Sequence, residues 1–448
     1  MVDLSANQQD LRESDLTGFC HERVSMPDRY AKTPPRVGRI RRCVLRAFVI
    51  ILIGSGPAVA EEPDLTSRIA RSMVTGANFN RPLPFPGQGR FCWPGNLVQF
   101  DDEELVLVHS AGYYHVSFAE PRRIEASTRE RWLKSGWPLD FQAPNGGRSM
   151  LVRSNDGGAK WSRPETILDL PWDDSPCGLL LCHDGTLLCF INVQASWYGF
   201  PAAPPPFDRD LDGLNTSQCV IRSTDRGRTW SEPVWIRSPG NFYQRSHAQP
   251  IQLASGRILW PTYCRSQQED RLFGAIQASD DSGRTWRVLS TVRREGNPAD
   301  AAAIDAGNID EPALAELRDG RLLLISRPDG GRFLSDDGGR KWTYQGQLVS
   351  TGKLKAPRIF VLEDGTVICV CTYRNLQVFI GRSNGSSWSG PHDLDTESYG
   401  YPGGILLSDQ SMLISYCSSG KAPNDLYVIR FRVNKDRTGI VRVPVNER

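Results

Sequence analysis

"SDDGGRKW", Ser335 to Trp342, joins turn-forming residues to a Trp that opens the next apolar run. Near copies occur elsewhere: "SNDGGAKW" from Ser154, "STDRGRTW" from Ser223 and "SDDSGRTW" from Ser279, with a shortened form, "SNGSSW", from Ser383. The five starts lie 69, 56, 56 and 48 residues apart. A turn that returns at such intervals marks a repeated structural unit.

The segments around each copy define that unit. A short alternating or apolar run enters each turn, and the Trp begins the strand that leaves it. Upstream lies a second recurring signal, a small polar turn between two apolar runs: "FDDEELVLV", "HDGTLLCFI", "ASGRILWPTY", "RDGRLLLIS", "EDGTVICVC" and "SDQSMLISY". Asp-Gly in such a setting is a hairpin signal. Each unit therefore holds two hairpins, or four strands, and there are six units. The expected fold is all-β, a six-bladed β-propeller of four-stranded antiparallel blades. A β-sandwich accounts for the strands but not for their phased repetition. The sixth unit lacks an Asp-turn. Its outer strands are expected in "DLYVIRFRV" and either "GIVRV" or a segment near Thr66–Thr75.

Of 448 residues, 53 are basic and 51 acidic, for a net charge of +2. Nothing in that balance points to nucleic acid or an anionic membrane surface. Arg39, Arg41, Arg42 and Arg46 precede "AFVIILIGSGPAVA", which ends in Ala58-Val59-Ala60. This has the form of a signal peptide cleaved near Ala60, and its apolar part is short for a membrane span. "RRCVLR" also resembles a twin-arginine export motif. The chain divides at sequence level into an extension and signal peptide, 1–60, and one propeller domain, 61–448. The expected location is periplasmic or extracellular, with no integral span in the mature chain. Most cysteines lie in apolar runs and are read as buried thiols. No C-x-x-C occurs, and Cys369 and Cys371 are read as facing opposite sides of their strand. "DRDLDG" (Asp208 to Gly213) begins like a calcium loop, but Cys219 stands where the twelfth-position Glu is required. Neither a metal nor another cofactor is assigned.

S-x-D-x-G-x-T-W resembles the Asp-box of the sialidase (neuraminidase) superfamily, and with the hairpin signals the resemblance covers roughly residues 90 to 432. The box is structural, because its Asp bonds backbone amides of its own turn. It argues for the fold, while function must be argued from a site.

Strand register supplies candidate site residues without the family. Eight positions before each hairpin turn, the first strand of a unit reaches the face away from the Asp-turns. Counting back from Asp319 gives Glu311, from Asp409 gives Tyr401 and from Ser255 gives His247; other units give Ala356, Pro176 and Trp93. Arg327 lies nearly opposite Glu311 across the Asp319-Gly320 turn. Arg374 ends the returning strand of the fifth unit. A Glu, a Tyr and two Arg at one depression suit an acidic sugar. Guanidinium groups bind a carboxylate by paired hydrogen bonds. A carboxylate nucleophile would be repelled by a carboxylate on the sugar's anomeric carbon, and Tyr is the known exception among glycosidases. With a phenol pKa of ~10, Tyr needs a neighbouring base.

The resemblance implies roles for these positions. "DEPALAELRDGRLLLISR" (Asp310 to Arg327) is similar to the segment bearing the catalytic Glu and a carboxylate-binding Arg, which gives Glu311 and Arg327. "SYGYPGGILLSDQSMLISY" (Ser398 to Tyr416) resembles the segment bearing the nucleophile, which gives Tyr401. Arg374 is the matching second clamp; His247, reached by the register count alone, is a candidate substrate contact or a hydrogen-bonded residue of the rim. The first-blade Arg-Ile-Pro of the family is replaced by "GRFCWPGN", in which Pro94 fits and Cys92 holds the Arg position. Arg90 or Arg81 is left to serve instead. The acid/base Asp is expected before the first Asp-box, where Asp140 in "WPLDFQAPNGG" is the candidate. The resemblance thus implies a retaining, exo-α-sialidase-type hydrolase of sialylated or related glycans. The alternatives are a non-catalytic glycan-binding propeller and a propeller hydrolase for a different sugar.

Overall fold

The computed structural model describes residues 72–75, 91–112, 148–170, 173–194, 216–237, 239, 243–266, 271–294, 307–396, 400–417 and 425–446. Every regular element among them is a β-strand, and none of the described residues forms a helix long and apolar enough to cross a membrane.

The strands follow one another as antiparallel meanders. The first is Phe91–Gln99, Leu105–Gly112, Arg148–Ser154 and Glu165–Leu168. The second is Asp173–Leu181, Leu187–Gln194, Thr216–Ser223 and Val234–Ile236. The third has a split leading strand, Tyr243–Arg245 and Ile251–Gln252, then Ile258–Arg265, Phe273–Ser279 and Arg287–Val292. The fourth is Asp310–Glu316, Leu322–Arg327, Gly331–Ser335 and Thr343–Tyr344. The fifth is Lys355–Val361, Val367–Thr372, Leu376–Arg382 and Ser387–Asp395. The sixth leads with Gly400–Leu406, Met412–Cys417 and Leu426–Val433. Its outer edge is shared: Ile440–Val443 pairs one half of Leu426–Val433 and Ser72–Thr75 pairs the other. Both candidate outer strands are therefore used, rather than one of the two.

The second and third meanders are joined in one nine-stranded sheet through a parallel pairing of Tyr243 with Thr216. Separate sheets were expected there. The leading strand of the third meander breaks at residues 246–250, and its detached first part turns towards the second meander. A chain of buried side-chain amides fills the junction. Asn192 donates to the Ser246 carbonyl at 2.8 Å, Gln218 to Asn192 at 3.0 Å, and Gln277 to Gln244 at 3.2 Å, while Gln244 donates to Gln218.

One hairpin geometry recurs at the end of the leading strands. The N–H groups of Cys182, Leu253, Leu317, Leu362 and Leu407 donate to the carbonyls of Thr186, Arg257, Arg321, Thr366 and Ser411, each at 2.8 Å. The Asp-boxes sit at this same end. In the fourth meander the Ser335 hydroxyl donates to Asp337 at 2.9 Å and accepts from the Gly339 N–H at 2.9 Å. Asp337 accepts from the N–H groups of Arg340 and Lys341, also at 2.9 Å. The fourth box position is left-handed in all four full copies, with φ of 70° at Gly157, 61° at Arg226, 51° at Ser282 and 73° at Gly338. Glycine relieves that conformation in two of them. Boxes also touch neighbouring hairpins: Ser282 donates to Asp184 at 2.7 Å and Asn384 to Asp319 at 3.1 Å.

The core lies between successive meanders. Leu179, Cys189 and Ile221 pack on Val106 and Leu151; Trp260 packs on Phe190; Phe333 and Leu324 pack on Ile276. Phe379 and Cys369 meet Ile325, while Phe431 and Tyr416 meet Ile368 and Val378. A last cluster joins Leu413 and Val428 of the sixth meander to Leu97 and Leu107 of the first. Gly403 approaches the first meander so closely that a Cβ would lie 2.5 Å from the Gly95 carbonyl oxygen. Cys177, Cys182, Cys189, Cys219, Cys264, Cys369, Cys371 and Cys417 are buried free thiols. Cys369 and Cys371 enter the same cluster beside Phe379. The expectation of opposite faces is thus corrected, because alternate residues of a strand share a face.

Candidate active site

Several leading strands slip register at the end opposite the Asp-boxes, and three of them share a further feature. Register slips between Asp310 and Ala313, between Lys355 and Arg358, and between Gly400 and Gly403. In each bulge the first residue has a left-handed backbone, with φ of 46° at Glu311, 44° at Ala356 and 55° at Tyr401. A proline follows each of them, Pro312, Pro357 and Pro402. Proline has no N–H to give a ladder and is tolerated at a bulge. A non-glycine residue in this conformation costs ~1–3 kcal/mol, a strain that concentrates at functional sites. Bulges also re-aim side chains.

Here they aim Glu311 and Tyr401 at each other across the intervening leading strand of the fifth meander, Lys355–Val361. The Tyr401 hydroxyl donates to Glu311 Oε1 at 2.9 Å, and Arg327 Nη1 donates to the same oxygen at 2.9 Å. Glu311 Oε2 accepts the Ala356 N–H at 2.7 Å. Arg327 also lies 3.4 Å from Asp310 Oδ2 through its Nε. The pairing expected between Glu311 and Arg327 is offset by one residue, since the bulge leaves Asp310 directly opposite Arg327. Tyr401 is anchored behind by its own N–H, which donates to Thr372 Oγ1 at 2.7 Å.

His247 closes another side. Its Nε2 is 4.0 Å from Glu311 Oε1, and its ring stands edge-on to Tyr401 with centroids 5.6 Å apart. It stacks on Tyr263 at 6.1 Å, and Tyr263 leans against Tyr243. Glu311, Tyr401 and His247 are nearly buried, at 3%, 8% and 7% exposure, while the Arg327 side chain keeps 24% and so faces the solvent side.

Electrostatics follows from this packing. Burial pushes the Asp310 carboxyl up, the Glu311 charge adds to that rise, and Arg327 and Arg245 oppose it. Burial works against the charge on Arg327, but Glu311 and Asp310 outweigh it and hold the guanidinium firmly protonated. The Tyr263 phenol is pushed well up by burial, so it stays neutral beside the imidazole. Glu311 therefore accepts three hydrogen bonds, one of them from the phenol it would deprotonate. A carboxylate in that position can take the phenol's proton. Among the described residues no group of three His, Cys, Asp or Glu is placed to hold a metal ion.

Of the residues singled out from sequence, Glu311, Tyr401, Arg327 and His247 are brought together. Ala356, reached by the same count, contributes its N–H. Arg374 stands exposed just beyond Thr372, with its guanidinium 5.6 Å from the centre of the Tyr373 ring. Its backbone N–H donates to Gln377. Arg90, Arg81 and Asp140 lie outside the described residues. Asp310, Thr372 and Tyr263 were not anticipated. The recurring Glu-Pro, Ala-Pro and Tyr-Pro ahead of the hairpins was the available signal, since proline inside a strand marks a bulge.

Residues 150–414 match the BNR repeat-like domain family, and the chain belongs to that family within the sialidase superfamily. Two curated relatives are similar. A sialidase of Micromonospora viridifaciens is 31% identical over 232 residues, 46% of this chain and 33% of that protein. A sialidase of Bacteroides fragilis (strain YCH46) is 23% identical over 296 residues, 60% of this chain and 54% of that protein. The chain thus spans about a third of one relative and half of the other. Among solved structures, the NanB sialidase of Streptococcus pneumoniae superposes with a TM-score of 0.55 at 14% identity, covering 78% of this chain and 70% of that one. The fold is propeller-like, as in these sialidases.

Proposed function

We propose that this protein is an exported, six-bladed, sialidase-like retaining glycoside hydrolase acting on sialylated or related glycans. The observation that carries the reading is the hydrogen bond from the Tyr401 hydroxyl to a buried Glu311 that Arg327 also grips. Tyr401 attacks the anomeric carbon while Glu311 takes its proton, and the bond to the leaving oxygen breaks. Asp140 is the proposed donor to that oxygen. Water then attacks the glycosyl-tyrosine with Asp140 as base, and the phenol recovers its proton from Glu311. Arg327 holds the substrate carboxylate, with Arg374 and one of Arg90 or Arg81 as further clamps, and His247 lines the ring-binding side. Apolar clusters between each meander and the next, including sixth to first, support six blades in a closed ring. The basic and apolar segments ending at Ala60 support export, with Glu61 as the mature start.

A fluorogenic sialoside assay tests this reading. Turnover by the wild type, reduced by ~10²-fold or more in Tyr401→Phe and Glu311→Gln, is expected for loss of a nucleophile or its base. Binding without turnover in the wild type refutes it in favour of a glycan-binding module. The exposed position of Arg374 favours one second reading, a hydrolase for a different sugar. Hydrolysis of neutral or uronic glycosides but not of sialosides would select it.

A further inference from the structure

Behind Glu311, the leading strands of five meanders enclose a cavity of about 390 Å³ opening towards the hairpin end. Leu180, Gln252, Leu314, Phe360 and Ile405 are among its lining residues, and so is one cation, Arg358. Arg358 follows the Ala356-Pro357 bulge and is 4% exposed. Its Nη1 donates to the carbonyl of its own neighbour Pro357 at 2.9 Å, while its Nε has no acceptor. It forms no ion pair among the described residues. Glu311, whose carboxylate attracts it from a distance, is already satisfied by Tyr401, Arg327 and the Ala356 N–H.

A buried charge without a partner costs several kcal/mol even after relaxation, and guanidinium groups recover that cost best from an anion in their plane. We propose that this cavity is a binding site for a small monovalent anion, chloride in ordinary solution, held by the Arg358 guanidinium. The remaining lining explains the preference for one charge. It is largely aliphatic, and Glu316 in the same lining disfavours a dianion. Burial lowers the pKa of Arg358 to about 10, which leaves it protonated at neutral pH and available to the anion. Occupancy would screen the cation that faces Glu311 and so couple the cavity to the catalytic face.

The test needs no turnover, so it stands or falls apart from the hydrolase reading. Crystals of the mature protein are soaked in bromide and the anomalous map is inspected. In parallel, melting temperature is followed in sodium chloride against sodium gluconate at equal ionic strength, for wild type and Arg358→Met. The expected result is a bromide peak in the cavity against Arg358 and a saturating, chloride-specific rise in melting temperature that Arg358→Met abolishes. Absence of the peak overturns the proposal. So does a rise that is equal in Arg358→Met, which would mark an adventitious ion only. Should Arg358→Met not fold, the bromide map decides alone.

Discussion

Tyr401 depends on Thr372 as much as on Glu311. The buried Tyr401 N–H has Thr372 Oγ1 as its acceptor at 2.7 Å, and the left-handed bulge needs that bond to stay in place. Thr372→Val keeps the shape and deletes the acceptor. The expected result is a stability loss of about 1–3 kcal/mol, the cost of a buried donor left unmatched. The kcat of the proposed reaction should fall with it, because the phenol no longer points steadily at Glu311. Urea unfolding and steady-state kinetics on the same variant check both parts. A loss of stability with unchanged kcat would show that the bulge holds Tyr401, the proposed nucleophile, without Thr372. These residues also mark what could be read in advance. Glu311, Tyr401 and His247 followed from one count because the leading strands share a register. Asp310 and Thr372 did not, since bulges shift partners by a residue and regular pairing rules do not foresee that.

At the level of the element, the Asp-box is a fastener remote from the chemistry. Ser335 and Asp337 bind their own turn at the hairpin end, while Glu311 and Tyr401 lie at the other end of their leading strands. Ser335→Ala strands the buried Gly339 N–H and is expected to cost about 1–3 kcal/mol of stability. Melting temperature should fall, and kcat/KM for the proposed reaction, measured on the folded protein, should stay at the wild-type value. A tenfold fall in kcat/KM without unfolding would contradict the separation of the two ends. The box was the most legible feature of the sequence because its bonds are local and recur in order. The parallel contact of Tyr243 with Thr216 was not legible, for it rests on a long-range ladder of amides between two meanders.

Across the whole molecule, stability resides in the seams between meanders, and one seam carries a titratable strut. Asp174 of the second meander is buried and accepts the Ser149 hydroxyl of the first at 2.6 Å and the Leu170 N–H at 3.0 Å. Burial pushes its pKa up to about 8, with the two hydrogen bonds opposing the rise. Because the folded value exceeds the unfolded one, the contribution is full below about pH 4 and is lost as pH rises through about 8. The stability advantage of wild type over Asp174→Asn should therefore shrink from pH 4 to pH 8 in a series of urea titrations. A constant difference across that range would contradict it. The outer edge of the sixth meander was legible as two candidate strands, but their sharing of one partner was not, since the two segments lie at opposite ends of the chain.

If Tyr401 is the nucleophile, it forms a covalent bond to the sugar. A 2,3-difluorinated sialic acid supplies a good leaving group at the anomeric carbon, and its second fluorine slows breakdown of the resulting adduct. Mass spectrometry of the digested protein after incubation with this reagent locates the modification. The expected result is one glycosyl adduct on the peptide carrying Tyr401, formed by wild type and absent from Tyr401→Phe. Sialoside turnover by wild type without any adduct on Tyr401, or with the adduct on another residue, would contradict it.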